Sequence, residues 1–184
     1  MKIRKVTSAL ALLAGLAYCA TSQAELNAYM HVVGVKQGEI KGSVTQKGRE
    51  SKIMVIATNH LVVSAVDSAS GMATGKVQQK PFLVTKEVDR SSPQLHAAHG
   101  MNEVLSTVTI EYWQQSRTGA EISYLTITLK NARIVSIHHA MPKNKETELM
   151  KLAAYEEISF VYDSITWTWN DGGITYTDSW NAIK

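Results

Sequence analysis

The sequence predicts an all-β protein, a barrel or sandwich of short strands with one short helix. Most segments after residue 26 alternate apolar and polar residues with a period of two, which is typical of half-buried strands. Turn-forming Gly, Asn and Asp residues separate these segments at short intervals, as they do in all-β barrels and sandwiches. A single helix start interrupts the pattern, at Ser92-Pro93.

The first strands follow from this alternation. Residues 29–34, YMHVVG, predict a half-buried strand, and residues 52–63, KIMVIATNHLVV, predict a second strand region because β-branched residues dominate it. The segment from Ser64 to Gln79 is small and polar, and it predicts a loop too long for a simple hairpin turn. The strand PFLVTKEV follows, with Pro81 at its first position, where a missing N–H group is tolerated.

The helix is predicted from its start and its end. A side-chain oxygen at Ser92 is suited to the N-cap, and the fixed φ of Pro93 is suited to the first helical position. Leu95 and Ala98 lie three apart, on one face, and Gly100 is typical of a helix end. We expect this helix to cover an open end or edge of the barrel and to bury that face.

The rest of the chain again predicts strands. Residues 107–112 and 124–129 alternate on either side of the turn RTG, and residues 130–133, KNAR, predict a tight connection into IVSIHHAM. The segment ELMKLAAYEEISFVY is open between helix and strand in its first half, but its second half has strand period. SITWTWN continues that period, and the turn DGG precedes the tail ITYTDSWNAIK.

Residues 1–24 predict a secretory signal peptide. The basic start MKIRK precedes an apolar stretch that is too short for a permanent membrane anchor, and SQA before Glu25 matches a small-x-small cleavage site. We therefore expect cleavage after Ala24 and export to the periplasm or the medium. Residues 25–184 are long enough for a single domain with a sizeable core.

Removing this segment changes the charge balance. It contains three of the 19 Lys and Arg residues and no acidic residue, so 16 basic and 16 acidic residues remain. A neutral chain gives no basic face for nucleic acid or anionic lipid. Cys19, the one cysteine, also leaves with the signal, which excludes a disulfide or a thiolate site in the mature chain.

Motifs for chemistry are absent from the sequence, so we expect no catalytic residue, no cofactor and no metal. There is no phosphate-binding loop, dinucleotide fingerprint or nucleophile elbow. His96 and His99 lie three apart on the predicted helix, but two histidines fall short of a zinc set, and surface histidines near a helix C-terminus are the favoured interpretation. Trp167 and Trp169 could form a sugar-stacking platform with Tyr162, although core or interface positions are favoured.

The most specific pattern is the segment GKVQQKPFLVTKEVDRSSPQLHAA. It resembles the signature G-K…K-P-F…K-x-x-D-x-S-S-P-x-L of the Hcp family, the haemolysin-coregulated proteins of type VI secretion systems. YLTITLKNARIVSIHHAMP and EEISFVYDSITWTW, with the later GG and DSW, are also similar to family segments, so the resemblance runs from about Asn27 to Trp180. The signature residues taken as structural are Lys80, Pro81, Phe82, Asp89, Ser91, Ser92, Pro93 and Leu95.

The resemblance implies a two-sheet β-barrel with a flanking helix, assembled as a homohexameric ring. Rings of this family stack into a tube that carries effectors in its lumen and meets spike and sheath components, and its members are structural proteins rather than enzymes. The loop from Ser64 to Lys76 matches the extended loop that reaches toward an adjacent subunit or ring. The interface residues expected there are Ser64, Asp67, Ser68, Ala69, Gly71, Ala73, Gly75 and Lys76.

The predicted signal peptide departs from the family, because tube subunits ordinarily assemble in the cytoplasm without one. Two hypotheses therefore stay open. The first is an exported ring and tube subunit of a type VI secretion system. The alternative is an Hcp-like periplasmic or secreted protein that binds a partner without building the tube.

Overall fold

The computed structural model describes residues 27–75, 77–143, 145 and 153–179. The predicted signal peptide and the predicted interface residue Lys76 lie outside the described residues. Within them the chain forms one helix, α1 (Ser92–Gly100), and eleven strands. The strands are β1 (Asn27–Gly34), β2 (Gly38–Ile40), β3 (Ile53–Asn59), β4 (Val62–Val63), β5 (Gln78–Gln79), β6 (Phe82–Glu87), β7 (Leu105–Gln115), β8 (Glu121–Ala140), β9 (Tyr155–Val161), β10 (Ser164–Trp169) and β11 (Ile174–Ser179).

Six strands close into an antiparallel barrel. Their order is β8-β7-β1-β3-β6-β9, and β9 returns to pair with β8. Closure gives every one of these strands a partner on both sides, which removes the free edges of an open sheet. Strands β10 and β11 continue from β8 as a second sheet, and β2 pairs with β1. The predicted all-β barrel with one short helix is therefore confirmed.

Strand β8 is continuous over 20 residues, so the predicted tight connection at residues 130–133 is wrong. The strand pairs with β10 up to Lys130 and with β9 from Arg133 onward. Between these residues Asn131 has a φ of 49°, a left-handed conformation that Asn tolerates better than most residues. Asn131 Nδ2 also donates to Asp163 Oδ2 at 3.0 Å. Because the chain changes partner here without ending the strand, β8 belongs to both the barrel and the second sheet.

The predicted strand region over residues 52–63 contains two strands, because the chain divides at His60 into β3 and β4. The two strands belong to different sheets. The His60 ring lies 5.2 Å from the Phe82 ring and 5.9 Å from the Trp167 ring, centroid to centroid, and its Nε2 lies 2.7 Å from the Tyr162 hydroxyl. Burial lowers the pKa of His60, which favours the neutral ring in this aromatic setting.

Residues 61–75 and 77–79 form a two-stranded ribbon, called the arm below, where a loop was predicted. Val62 pairs with Gln79 in β4 and β5, and an isolated bridge joins Val66 to Ala73. The backbone N–H of Asp67 donates to Met72 O at 2.9 Å and closes the turn at the tip. Small polar residues in this segment obscure the period of two, and for this reason the ribbon was missed.

Helix α1 packs against β8 and buries one face. Leu95 and Ala98 belong to the same hydrophobic cluster as the inward side chains of the barrel, which confirms the predicted buried face. The helix ends at Gly100 as predicted, but the positive φ that follows it, 47°, is at Asn102. No helix within the described ranges is long and apolar enough to span a membrane.

Gly42 leaves no room for a side chain. A Cβ at this position would lie 2.3 Å from Lys52 O and 2.6 Å from Ile53 Cα, both backbone atoms. The Gly42 N–H also donates to Ser51 O at 2.7 Å, so the segment cannot retreat without straining this bond. We expect Gly42→Ala to lower the free energy of unfolding in urea by about 1 to 3 kcal/mol, the usual cost of overpacking.

Gly100→Ala is the matched control for this substitution. A Cβ at Gly100 meets no atom within 4 Å, and alanine is favoured over glycine in a helix. We expect this variant to be at least as stable as the wild type. Equal losses in the two variants would show that close backbone contact is not the reason for glycine at position 42.

Candidate functional site

The family-signature residues lie along β6 and the turn into α1. Phe82 and Leu95 are buried in the core, and Pro81 directly precedes β6. Lys80 is exposed, and its backbone N–H donates to Leu61 O at 2.9 Å, which closes the base of the arm. The residues of this one sequence motif therefore lie in the core, at the start of the helix and at the base of the arm.

Helix α1 begins at Ser92 as predicted, but its N-cap residue is Ser91, and no side chain caps it. The predicted cap at Ser92 is wrong because its hydroxyl group is engaged elsewhere. It donates to Glu156 Oε2 at 2.7 Å and accepts from Lys86 Nζ at 3.0 Å. The turn before the helix is held instead by Asp89, whose Oδ1 accepts the backbone N–H of Ser91 at 3.0 Å.

Lys86, Asp89 and Glu156 form a buried charge cluster beneath the start of α1. Lys86 Nζ lies 3.0 Å from Asp89 Oδ1 and 3.2 Å from Glu156 Oε2, and the Lys86 side chain is fully buried. Burial opposes ionisation of the two carboxyl groups, but hydrogen bonds from nearby serines and from Lys86 outweigh it. The pKa of Asp89 and the pKa of Glu156 consequently lie below their ordinary values. The ammonium group of Lys86, on β6, thus contacts both a carboxylate on β9 and a carboxylate in the turn before α1.

The histidines of the helix contact different groups. His96 Nε2 lies 3.2 Å from Glu156 Oε1, and His139 Nδ1 lies 3.6 Å from the same oxygen. His99 Nδ1 lies 3.0 Å from the carbonyl oxygen of Ile134, so His96 and His99 do not face one ligand. Within residues 27–75, 77–143, 145 and 153–179, no group of three or more His, Cys, Asp or Glu side chains is placed to hold a metal ion.

The predicted interface residues of the arm are exposed wherever the structure describes them. Asp67 organises the tip, because its Oδ1 accepts the backbone N–H groups of Ala69 and Ser70 at 2.8 Å each and the Ser70 hydroxyl at 3.1 Å. These hydrogen bonds lower the pKa of Asp67. The exposed set is Ser64, Asp67, Ser68, Ala69, Gly71, Ala73 and Gly75.

Sequence analysis missed the apolar side chains of the arm. They are scattered singly among small polar residues, so no periodicity marked them. In the structure their exposed fractions run from 43% to 68%. These residues are Leu61, Val62, Val66, Met72 and Val77.

The base of the arm is fixed to the second sheet. Gln79 is buried, and its Nε2 donates to Asp178 Oδ2 on β11 at 2.7 Å. Beside it, burial, with a smaller contribution from the charge of Asp178, raises the pKa of Tyr162 to about 12. The hydroxyl group of Tyr162 therefore stays protonated and available to His60.

A second exposed apolar surface lies at the other end of β10 and β11. We call Trp169, Ile174 and Tyr176 the apolar patch; their exposed fractions are 44%, 71% and 56%. Trp167 is half-buried, and its ring stacks on that of Tyr176 with centroids 5.8 Å apart and planes at 19°. Rings that cover one another offer a poor sugar platform, and Tyr162 is buried. The geometry favours core and interface positions for these aromatic residues.

Comparisons with known proteins identify relatives over most of the chain. The model of the family described as "Type VI secretion system effector, Hcp" matches residues 29–169. A protein of Pseudomonas aeruginosa called "Major exported protein" is 34% identical over 164 residues, and the match covers 84% of this chain and 95% of that protein.

Solved structures show the same fold. A doubly substituted Hcp1 protein from E. coli EAEC 042 has a TM-score of 0.75 at 30% identity, with 84% of this chain and 99% of that chain covered. The secreted protein Hcp3 from Pseudomonas aeruginosa has a TM-score of 0.68 at 30% identity, with 85% and 99% covered. A structure described as an Hcp protein reaches a TM-score of 0.79 at 26% identity, with 85% and 99% covered.

Proposed function

Because this chain belongs to the Hcp family of type VI secretion proteins, we propose that it is a structural subunit that forms homohexameric rings. The rings stack into a tube whose lumen carries effectors, and the ends of the tube meet spike and sheath components. The observation that carries this proposal is the match to the family over residues 29–169 together with the closed barrel. The role is one of assembly, and no catalytic residue is assigned to it.

The exposed arm supports assembly. A two-stranded ribbon is marginally stable by itself in water, yet the arm leaves its apolar side chains exposed in the single chain. Packing against a neighbouring subunit would bury them. We propose that the exposed residues from Ser64 to Gly75 lie in this interface, which stacks one ring on the next.

The charge balance is compatible with close stacking. Without residues 1–24 the chain has 16 basic and 16 acidic residues, so identical rings approach one another without net repulsion. In a tube of stacked rings even a modest charge on each subunit would be repeated many times. Neutrality therefore favours the stacked state.

We also propose that residues 1–24 are a cleaved signal peptide and that residues 25–184 form one exported domain. A basic start, a short apolar stretch and a small-x-small site support this assignment. The similar Pseudomonas protein is called an exported protein. Export through the general pathway would place folding and ring formation outside the cytoplasm.

The native mass of residues 25–184 tests the proposal. We expect a six-fold mass over a range of concentrations, with rings and short stacks visible by negative stain. Ala73→Glu should abolish the stacks and leave folded subunits, because a carboxylate would enter an apolar contact. Ala120→Glu, in the exposed turn between β7 and β8, is the matched control and should stack normally.

Two results would contradict parts of this proposal. Stacks that persist in Ala73→Glu would remove the arm from the ring-to-ring interface. A wild-type chain that stays monomeric at every concentration would mean that the family fold is kept without its assembly. The alternative, an Hcp-like periplasmic or secreted binding protein, would then be preferred.

A further inference from the structure

His60 connects the barrel to the arm, because it lies between the end of β3 and the start of β4. Its half-buried ring packs against three aromatic side chains, which we call the aromatic pocket. The ring centroids are 5.2 Å away for Phe82 on β6, 6.1 Å for Tyr162 after β9 and 5.9 Å for Trp167 on β10. The place of this one ring therefore fixes where the first strand of the arm leaves the barrel.

The hydrogen bond to Tyr162 favours the neutral form of the His60 ring. The two groups lie 2.7 Å apart, Nε2 to hydroxyl, and the pKa of about 12 keeps the hydroxyl group protonated at neutral pH. It can therefore donate to Nε2, which accepts only when it carries no proton. Beside a protonated ring, the hydroxyl proton would be left with the carbonyl oxygen of Lys80 at 3.5 Å, which is too long for a strong hydrogen bond.

Two charged side chains at the base of the arm, Asp178 and Lys80, are engaged with other groups. Asp178 Oδ2 accepts from Gln79 Nε2 at 2.7 Å, and Lys80 Nζ donates to the exposed Gln78 Oε1 at 3.3 Å. The side chains of the aromatic pocket are uncharged at neutral pH. Burial, rather than either charge, lowers the pKa of His60. A proton on this ring is therefore stabilised better by water than by the pocket.

The order of the arm depends on its base. A two-stranded ribbon is marginally stable by itself in water, and β4 and β5 contribute only two ladder pairs. Next to these pairs, the backbone N–H of Lys80 donates to Leu61 O at 2.9 Å. His60 directly precedes Leu61, so a displacement of the His60 ring acts on the bond that closes the base.

We propose that His60 is a pH-sensitive hinge of the arm: when its ring takes up a proton, the ring leaves the aromatic pocket and the base of the arm opens. Histidine is the side chain whose charge ordinarily changes between about pH 5 and pH 8. Because the pKa of His60 is lowered in the folded state, the stability contributed by the neutral ring is fully present above the ordinary histidine pKa of about 6.5. It is lost as the pH falls through the folded-state value. The arm is closed at neutral pH and opens in mildly acidic solution.

Hydrogen exchange at the backbone N–H of Lys80 tests the hinge. Protection factors, which correct for the pH dependence of the exchange chemistry, are compared for residues 25–184 at about pH 7.5 and about pH 5.5, on either side of the ordinary histidine pKa. We expect at least a five-fold fall for Lys80 at the lower pH. The N–H of Val88, which follows the other end of β6 and donates to Ala154 O at 3.0 Å, should change less than two-fold.

His60→Gln separates the hinge from other effects of pH. Glutamine keeps a hydrogen-bonding group near Tyr162 but does not titrate, so protection of the Lys80 N–H should become independent of pH in this range. His60→Phe, which keeps a ring in the pocket, should behave in the same way. His138→Gln is the matched control, because it removes an exposed histidine on β8 that lies 3.5 Å from Glu157 Oε2. This variant should keep the wild-type fall.

No fall in the wild type, or an equal fall in His60→Gln, would overturn the hinge. Its effect on assembly rests on the proposed function and is measured separately, by sedimentation. Wild-type stacks should decrease at least five-fold at the lower pH, and stacks of His60→Gln should persist. Stacks that survive an opened base would remove the arm from the ring-to-ring interface and leave the hinge standing. A chain that is monomeric at every pH would overturn the proposed function, while the exchange comparison still decides the hinge.

Discussion

Replacing Lys86 by Met is expected to lower the free energy of unfolding by about 3 to 5 kcal/mol, the usual cost of removing one partner from a buried ion pair. The Lys86 side chain is fully buried, and its Nζ contacts the carboxylates of Asp89 and Glu156. It also donates to the carbonyl oxygen of Glu87 at 2.6 Å. A methionine fills a similar volume but removes the ammonium group from both carboxylates, and Glu156 remains almost fully buried.

The free energy of unfolding lost in Lys86→Met should depend on pH, and the lowered carboxyl pKa values give the direction. In the wild type the pKa of Asp89 and the pKa of Glu156 are lowered in the folded state. Their contribution to stability is therefore present above the ordinary carboxyl pKa of about 4 and is lost as the pH falls through the folded-state values. Without the ammonium group both pKa values should rise. The difference between Lys86→Met and the wild type is thus expected to be largest at neutral pH. It should shrink as the pH falls through the raised carboxyl pKa values of the variant and then through the lowered values of the wild type.

Urea denaturation at one fixed chain concentration measures this difference, because assembly itself stabilises the folded state. Lys80→Met is the matched control: Lys80 is exposed just before β6, and its ammonium contacts only the exposed Gln78 side chain among the hydrogen bonds described. Its effect should stay within about 0.5 kcal/mol. Adding Glu156→Gln to Lys86→Met should recover part of the loss. A pH-independent loss would mean that packing, rather than charge, is what Lys86 contributes.

Phe160→Ala is expected to cost about 3 to 5 kcal/mol, the range for truncating a buried aromatic side chain. Phe160 is completely buried on β9, the strand that closes the barrel. It is paired with Phe82 on one side and with Ile134 on the other. The cavity left by alanine would lie in the barrel interior beside the side chains of Phe82 and Ile134, and the closed sheet limits how far the site can collapse.

Two further variants identify the cause of this loss. Phe160→Leu keeps most of the volume and should cost less than the alanine variant. Val135→Ala, at an exposed position on the neighbouring strand, should change the free energy of unfolding by no more than about 0.5 kcal/mol. If Phe160→Leu and Phe160→Ala were equally destabilised, the lost volume would not be the cause.

Part of the charge cluster could be predicted from sequence and part could not. Lys86 and Asp89 lie three residues apart inside the family signature, so they are close along the chain, although no charge cluster was predicted there. Glu156 lies 70 residues from Lys86, and no local pattern connects a glutamate in a strand to a lysine so far away. The same distant contact occupies the Ser92 hydroxyl, and this is why the predicted N-cap was wrong.

The arm and the apolar patch could also be predicted from the sequence only in part. The resemblance to the family indicated the arm, but its apolar side chains are scattered among small polar residues and were not recognised. Trp169 was seen as a core or interface residue, whereas its neighbours in the patch, Ile174 and Tyr176, lie in a segment that sequence analysis treated as a tail. Pairing of β11 with β10 brings these three side chains to one end of the second sheet.

The fold class, the family and the buried face of the helix follow from the amino-acid sequence, because each depends on local periodicity or on a contiguous signature. Three features become visible in the folded chain alone: β8 runs unbroken through Asn131, Glu156 contacts Lys86, and the base of the arm and the patch lie at opposite ends of β10 and β11. These features depend on strand pairing between distant segments. Strand pairing is a global property of the closed barrel, since hydrogen bonds across a sheet join residues whose separation along the chain leaves no local pattern.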